Sequence, residues 1–307
     1  MPALRNVRLA PALMLLMAAN LLWAGQGVAV KLLAGGLGSL ATALLPLHAI
    51  TIVGVGLLCM QSDFKAKFRA AWKLRHEFFL AGICGQLTAQ VGMTLGISWS
   101  TASNGAILSL LIPIFGALIA VWLLHERLSL LRIGTLLLGL AGVFLLSSLR
   151  NMPGHATRAH EFAGNFLIVA GCLGSAFYNV YSKRLLHLFS DLETLFFSYL
   201  STTAFSLPVL FALEPNCLSR LSHLTTVQWV AFDYLALFFY GLSMLFFFRA
   251  LGQVDAVIAS ASLYLTPLFG VALACSILGE GLAPRTLLGS VIVLLATLAL
   301  FRFDYAY

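Results

Sequence analysis

The sequence predicts an all-α integral membrane protein: ten transmembrane helices built as two inverted five-helix repeats. Two observations carry that fold class. Hydrophobic residues make up 61% of the 307-residue chain and charged residues 9%, whereas a soluble domain carries roughly 25% charged residues. One phrase also occurs twice: Pro113-Ile114-Phe115-Gly116 opens an apolar stretch ending at Glu126, and Pro267-Leu268-Phe269-Gly270 opens another ending at Glu280. In each copy the glutamate follows the proline by 13 residues, and the copies stand 154 residues apart, half the chain. Such a period marks an internal duplication, and duplicated hydrophobic halves are a common build of secondary transporters. The division falls between a first repeat, 1–150, and a second, 151–307.

A spanning helix needs about 20 mostly apolar residues. The first qualifying segment, 10–31, follows Arg5 and Arg8 as a signal peptide would, but it continues past Trp23 to Lys31 without a clear cleavage site. The second, 39–60, ends at a basic connector, and the third, 78–98, starts beyond it. The fourth, 102–124, carries the first copy of the repeated phrase, and the fifth, 131–149, closes the half. After a polar stretch at 150–162 come 163–183, 192–213 and 229–250, the last two separated by a connector with Glu214, Pro215 and Asn216. Segment 256–278 carries the second copy, and 286–303 completes the set.

With the N-terminus in the cytoplasm, 13 Lys and Arg fall on the cytoplasmic side and 5 on the other. That bias predicts a multi-pass plasma-membrane protein with both termini cytoplasmic; short loops and compact length fit a bacterial cytoplasmic membrane. Five spans per half is an odd number, so the second half enters the membrane upside down. The net charge of +7 shows no basic cluster clear of the spans that would bind nucleic acid. The five cysteines have no metal-ligand spacing, and the sequence calls for no metal or cofactor. The partners it implies are a small-molecule substrate and the lipid bilayer; a homodimer is left open. A phosphate-binding loop, a His-Glu-x-x-His run, a Gly-x-Ser-x-Gly run and an aspartate pair within the spans are all missing, which disfavours an ATP-driven pump and an intramembrane enzyme.

Several residues are specific in combination. Trp23-Ala24 leads to Val28-Ala29-Val30-Lys31; Ala102-Ser103-Asn104-Gly105 leads to Pro113 and to Glu126-Arg127-Leu128-Ser129; Leu140-Ala141-Gly142-Val143 follows. The second half answers with Ala176, Lys183, Ala250-Leu251, Ala259-Ser260-Ala261, Pro267, Glu280 and Ala296. Over essentially its whole length the chain resembles the ten-helix EamA-type members of the drug/metabolite transporter superfamily. It departs from them at His48, where many members have arginine, and in the last span, which lacks a glycine matching Gly142. The resemblance implies a central cavity framed by spans 1, 3, 4, 6, 8 and 9, and transport, usually export, of small metabolites such as amino acids. The alternative within transport is an antiporter of phosphorylated or nucleotide-linked solutes.

Candidate residues follow from what lipid penalises. Amides, hydroxyls and phenols inside spans should turn inward, which nominates Trp23, Gln26, Gln86, Gln90, Asn104, Ser109, Tyr178, Asn179, Tyr240, Ser243, Ser262 and Tyr264, with Asn20 nearby. Inward groups serve helix-to-helix hydrogen bonds as readily as substrate. Pro113 and Pro267 sit mid-span, where proline removes a backbone donor and leaves the carbonyls of Ser109 and Leu263 without their usual partners; a paired kink or hinge is expected. Glu126 and Glu280 lie at helix ends, where capping, pairing with a base or closing one side of the cavity suits them better than a deep proton site. Lys31 and Lys183 are related by the repeat and either snorkel to the interface or act as gates, and Arg249 joins either role. His48, deep in the second span, is the candidate proton site, with a neutral hydrogen-bonded core histidine as the alternative. Asp233 is expected near the interface.

Overall fold

The structure, a computed structural model, describes residues 2–33, 35–100, 105, 108–146, 158–278 and 284–303. Among the described residues all regular structure is helical. The first rod is α1 (Pro2–Ala24) and α2 (Gln26–Leu33), interrupted at Gly25. It is followed by α3 (Ser39–Cys59) and a surface helix, α4 (Phe64–Lys73). The next rod is composite: α5 (Arg75–Phe79), a π-helical stretch over Leu80–Leu87, then α6 (Thr88–Trp99). Helices α7 (Leu111–Leu124) and α8 (Leu130–Leu146) complete the first half.

The second half repeats this order. It runs α9 (Arg158–Leu185), α10 (Asp191–Leu213), a short α11 (Cys217–Leu221) and a composite rod of α12 (Thr226–Asp233), a π-helical stretch over Tyr234–Leu242 and α13 (Ser243–Leu251). Helices α14 (Ala256–Ser262), α15 (Leu265–Leu278) and α16 (Pro284–Phe303) follow. The two π-helical stretches begin at Leu80 and Tyr234, the same 154-residue offset as the repeated proline phrase.

Six of these rods are long and apolar enough to cross a membrane: Ala10–Val30, Ser39–Cys59, Arg75–Ile97, Phe162–Leu185, Asp191–Leu213 and Thr226–Leu251. Four shorter apolar helices, Leu111–Leu124, Leu130–Gly142, Ala256–Gly270 and Leu288–Leu300, stand where the remaining four spans are expected. Their shortness has local causes. The fourth and ninth segments break at Ser109–Leu110 and at Leu263–Tyr264, and part of the fourth, with the last residues of the fifth, lies outside the described residues.

The prolines act differently from the expected kink. Pro113 and Pro267 are each the third residue of a helix that starts after the break, α7 and α15. In a first turn the N–H has no intrahelical partner, so proline forfeits nothing there. The carbonyls of Ser109 and Leu263 are not left empty: Ile112 N–H donates to the first at 3.0 Å and Thr266 N–H to the second at 3.1 Å.

The halves interleave. Helix α9 packs on α6, on the preceding π-helical stretch and on α7; α1 packs on α13 and α15; α3 pairs with α10, and α8 with α16. Exchanging the halves maps this set of neighbours onto itself. Small residues permit the closest approach: a Cβ at Gly171 of α9 would lie 2.7 Å from the backbone nitrogen of Met93, the close backbone contact that membrane helices use in place of a hydrophobic driving force. Helix ends are capped from within. Ser190 with Glu193, and Thr225 with Gln228, form reciprocal capping boxes. Gly38 has no side chain to cap α3; the Glu214 carboxylate instead accepts the N–H groups of Leu40 and Ala41 at 3.0 and 3.2 Å. A Cβ on Gly38 would stand 2.1 Å from that carboxylate.

Candidate functional site

A cavity of about 480 Å³ opens where six segments meet: the α1–α2 break, the α6 rod, the α7 break, α9, the α13 rod and the α15 break. Helices α3, α8, α10 and α16 contribute no described lining residue. These six are the segments that the resemblance implied.

From the first rod come Trp23 and Gln26, with Trp23 tilted against Phe247 at 5.2 Å between centroids. The second wall is one stripe, Gln86, Gln90, Met93 and Ile97, at helical spacing. Helix α9 presents Ser175, Tyr178 and Asn179. Phe239, Tyr240 and Met244 face them from the other composite rod. The two broken helices close the ring, one with Ser109 and Pro113 and the other with Tyr264, Thr266 and Pro267. Gln86 and Tyr240 both lie within the π-helical stretches and are 154 residues apart, so the extra residue in each turn aims an equivalent position of each half at the cavity.

The polar groups divide into committed and free. The Tyr178 hydroxyl is tied to Ser198 Oγ at 2.8 Å. Tyr240 Oη lies 2.7 Å from the Ala43 carbonyl and 2.8 Å from Gln90 Oε1. One phenol hydrogen serves one acceptor, so the Gln90 amide turned to present its NH2 end satisfies both contacts. By contrast, no hydrogen bond to a described residue engages the side-chain amides of Gln26, Gln86 or Asn179, and the Tyr264 hydroxyl is buried without a partner among the described residues. No Lys, Arg, His, Asp or Glu is among the described lining residues.

Ser243 and Ser262 belong elsewhere, which corrects the expectation that they line the cavity. Both are fully buried. Ser243 returns its hydroxyl to the Phe239 carbonyl of its own helix, and Ser262 donates to the Ala259 carbonyl at 2.7 Å. Ser262 also accepts from Asn20 Nδ2 at 3.2 Å, and Asn20 Oδ1 accepts from Thr266 at 2.7 Å, so Asn20 stitches α1 to the α14–α15 break. Asn104, Glu280 and the Lys31 side chain lie outside the described residues.

Two of the charged candidates, Glu126 and Lys183, meet at one end of the bundle. Helix α7 stops at His125, in the left-handed conformation (φ 55°), which turns Glu126 across to the neighbouring helices. The Glu126 carboxylate accepts the N–H groups of Ala256 and Val257, at 2.7 and 3.0 Å, in the first turn of α14. Lys183 Nζ donates to the same carboxylate at 2.8 Å and to the Val254 carbonyl at 2.8 Å. Beside this largely buried pair, Arg132 binds Asp255. Four segments are thus pinned at one point. Arg249 instead pairs with Asp191 on the surface at 3.2 Å, and Asp233 is exposed. His48 is buried between α3 and α10, away from the cavity; its Nε2 lies 2.7 Å from Ser206 Oγ, and its Nδ1 has no partner among the described residues.

A family model described as "EamA-like transporter family" matches residues 10–148 and again residues 162–302. The chain belongs to that family. This EamA-like transporter is 23% identical over 267 residues to a "probable terminal-alkyne amino-acid exporter" of Streptantibioticus cattleyicolor, covering 87% of this chain and 85% of that protein. It is 25% identical over 244 residues to the "uncharacterized transporter YetK" of Bacillus subtilis, covering 78% and 71% respectively. A crystal structure superposes with a TM-score of 0.77 at 18% identity, over 94% of this chain and 96% of that one, a likeness of fold. With its apolar rods, the EamA-like transporter is a multi-pass membrane protein.

Proposed function

We propose that this EamA-like transporter exports small zwitterionic metabolites, amino acids among them, from the cytoplasm by alternating access through the central cavity. The observation that carries this reading is the cavity's chemistry: free amides, a free phenol and aromatic walls, with no ionic side chain among the described lining residues. Amide and hydroxyl dipoles orient a carboxylate and an ammonium together, and a net-neutral solute brings no unpaired charge into a low-dielectric site. A phosphorylated cargo calls for inward Lys or Arg, which that lining lacks. The description of the Streptantibioticus relative as an amino-acid exporter supports the same class.

The reading includes ten spans in two inverted five-helix repeats, 1–150 and 151–307, with both termini cytoplasmic. The double match to one family model and the exchange-symmetric packing support the repeat. The Glu126–Lys183 cluster is then the cytoplasmic closure.

The test compares metabolites released by cells fed mixed dipeptides and expressing the wild-type chain, a Gln86→Ala/Tyr264→Phe variant, or an empty vector. Early, selective release of a few amino acids by the wild type, lost in the variant, supports the proposal. Equal release from all three, with the protein present in the membrane, overturns the amino-acid reading and moves phosphorylated solutes in reconstituted vesicles to the front.

A further inference from the structure

The connector between α3 and the Arg75–Ile97 span carries a feature that shares no described lining residue with the central cavity. Helix α4 reads Phe64-Lys65-Ala66-Lys67-Phe68-Arg69-Ala70-Ala71-Trp72-Lys73, with Phe64, Phe68 and Trp72 four residues apart on one face and four cations on the others. The aromatic face does not close on the protein. Phe68 meets Phe197 of α10 at 6.2 Å, yet Trp72 is 62% exposed and a groove of about 540 Å³ remains between α4, α5 and α10. Trp72, Phe79, Leu200 and Phe205 line it, together with the exposed Arg75 and His76.

The helix beside the groove is electrostatically unbalanced. Lys67 is held by Glu193 at 3.4 Å, but Lys65, Arg69 and Lys73 are exposed and pair with no acid among the described residues. Glu77, the nearest acid of α5, is occupied by the Tyr181 hydroxyl. Arg75 lies over the Trp72 ring at 5.9 Å, at the junction of groove and charge. The helix joins two rods long and apolar enough to cross a membrane, Ser39–Cys59 and Arg75–Ile97, and the ends of such rods stand at the level of lipid headgroups.

We infer that this groove is a binding site for an anionic glycerophospholipid, its acyl chain lying along Trp72, Phe79 and Phe205 and its phosphate at Arg75 on the groove's edge, with Arg69 and Lys73 adding their charge from the other faces of the same connector. A trough of aromatic rings edged by Arg75, on a connector with three further unpaired cations, matches that ligand in both polarity and sign. A zwitterionic lipid brings a cation of its own against the same charges.

Native mass spectrometry of the full-length protein, given phosphatidylglycerol or phosphatidylcholine of identical chains, tests the assignment. Retained phosphatidylglycerol is expected to exceed phosphatidylcholine by about tenfold or more, as several surface cations each add to the attraction. Arg69→Gln/Lys73→Gln/Arg75→Gln should erase that preference. Brominated phosphatidylglycerol should quench the wild-type tryptophan fluorescence more than that of a Trp72→Phe variant, placing the lipid in the groove. Equal retention of both lipids by the wild type, preference surviving in the triple variant, or quenching unchanged by Trp72→Phe would each overturn it.

Discussion

Glu126 does two things with one carboxylate, and they can be separated. It caps the first turn of α14 through two backbone N–H groups and neutralises Lys183. Replacing Glu126 by Ala uncaps the helix and strands a largely buried ammonium, so a loss of about 3 kcal/mol or more is expected. Lys183→Met removes only the cation; the carboxylate keeps its two N–H donors and the positive end of a helix, and the loss should be smaller. Unfolding of the two variants in one detergent decides the matter: equal losses would mean the cap contributes nothing. A glutamate at a helix end was legible in the sequence as capping or pairing. That its target is a different helix was not, because the left-handed turn at His125 has no sequence signal: histidine adopts it without the glycine that usually marks it. Ser243 and Ser262 show the matching limit, since a hydroxyl in a span can satisfy itself on its own helix three or four residues back and never face a cavity.

At the scale of elements, hydropathy located the rods well and their interruptions poorly. The proline phrase marked where the fourth and ninth segments are unusual, but the device is a break followed by a fresh helix. Proline cannot donate to the carbonyl four residues back and its ring crowds that group; here those residues are Ser109 and Leu263, at the breaks, so Pro113→Ala/Pro267→Ala is expected to let both segments run on as continuous helices and reshape the cavity wall. Transport should fall severalfold while the melting temperature holds; normal transport would remove the breaks from the mechanism. The π-helical stretches were illegible because their sequences, LAGICGQL and YLALFFYGL, read as ordinary apolar helix. Half of one cavity wall was nevertheless within reach: Gln86 and Gln90 extend by helical spacing to Met93 and Ile97, and only the bias toward polar residues hid the latter two. The α6–α9 contact carries its own prediction. Gly171→Ala sets a methyl group 2.7 Å from backbone that has nowhere to go, and overpacking of this kind typically costs about 1–3 kcal/mol, readable as a lowered melting temperature.

For the whole molecule, the proposed topology has both termini on the cytoplasmic side, so a fluorescent reporter at either end should light up inside the cell and a phosphatase fusion at either end should stay inactive. One active phosphatase fusion would break the inverted-repeat reading. The matched π-helical stretches bear on origin. Each adds one residue to a helix at the same place in its half, and two independent insertions at matching points are a poor explanation beside one inherited insertion. On the proposed inverted-repeat reading, the wider turn then predates the doubling of the gene. A half-length ancestor carrying it would have had an inward-turned polar position and unburied helix faces, for a second copy of itself, set the other way up in the bilayer, to cover.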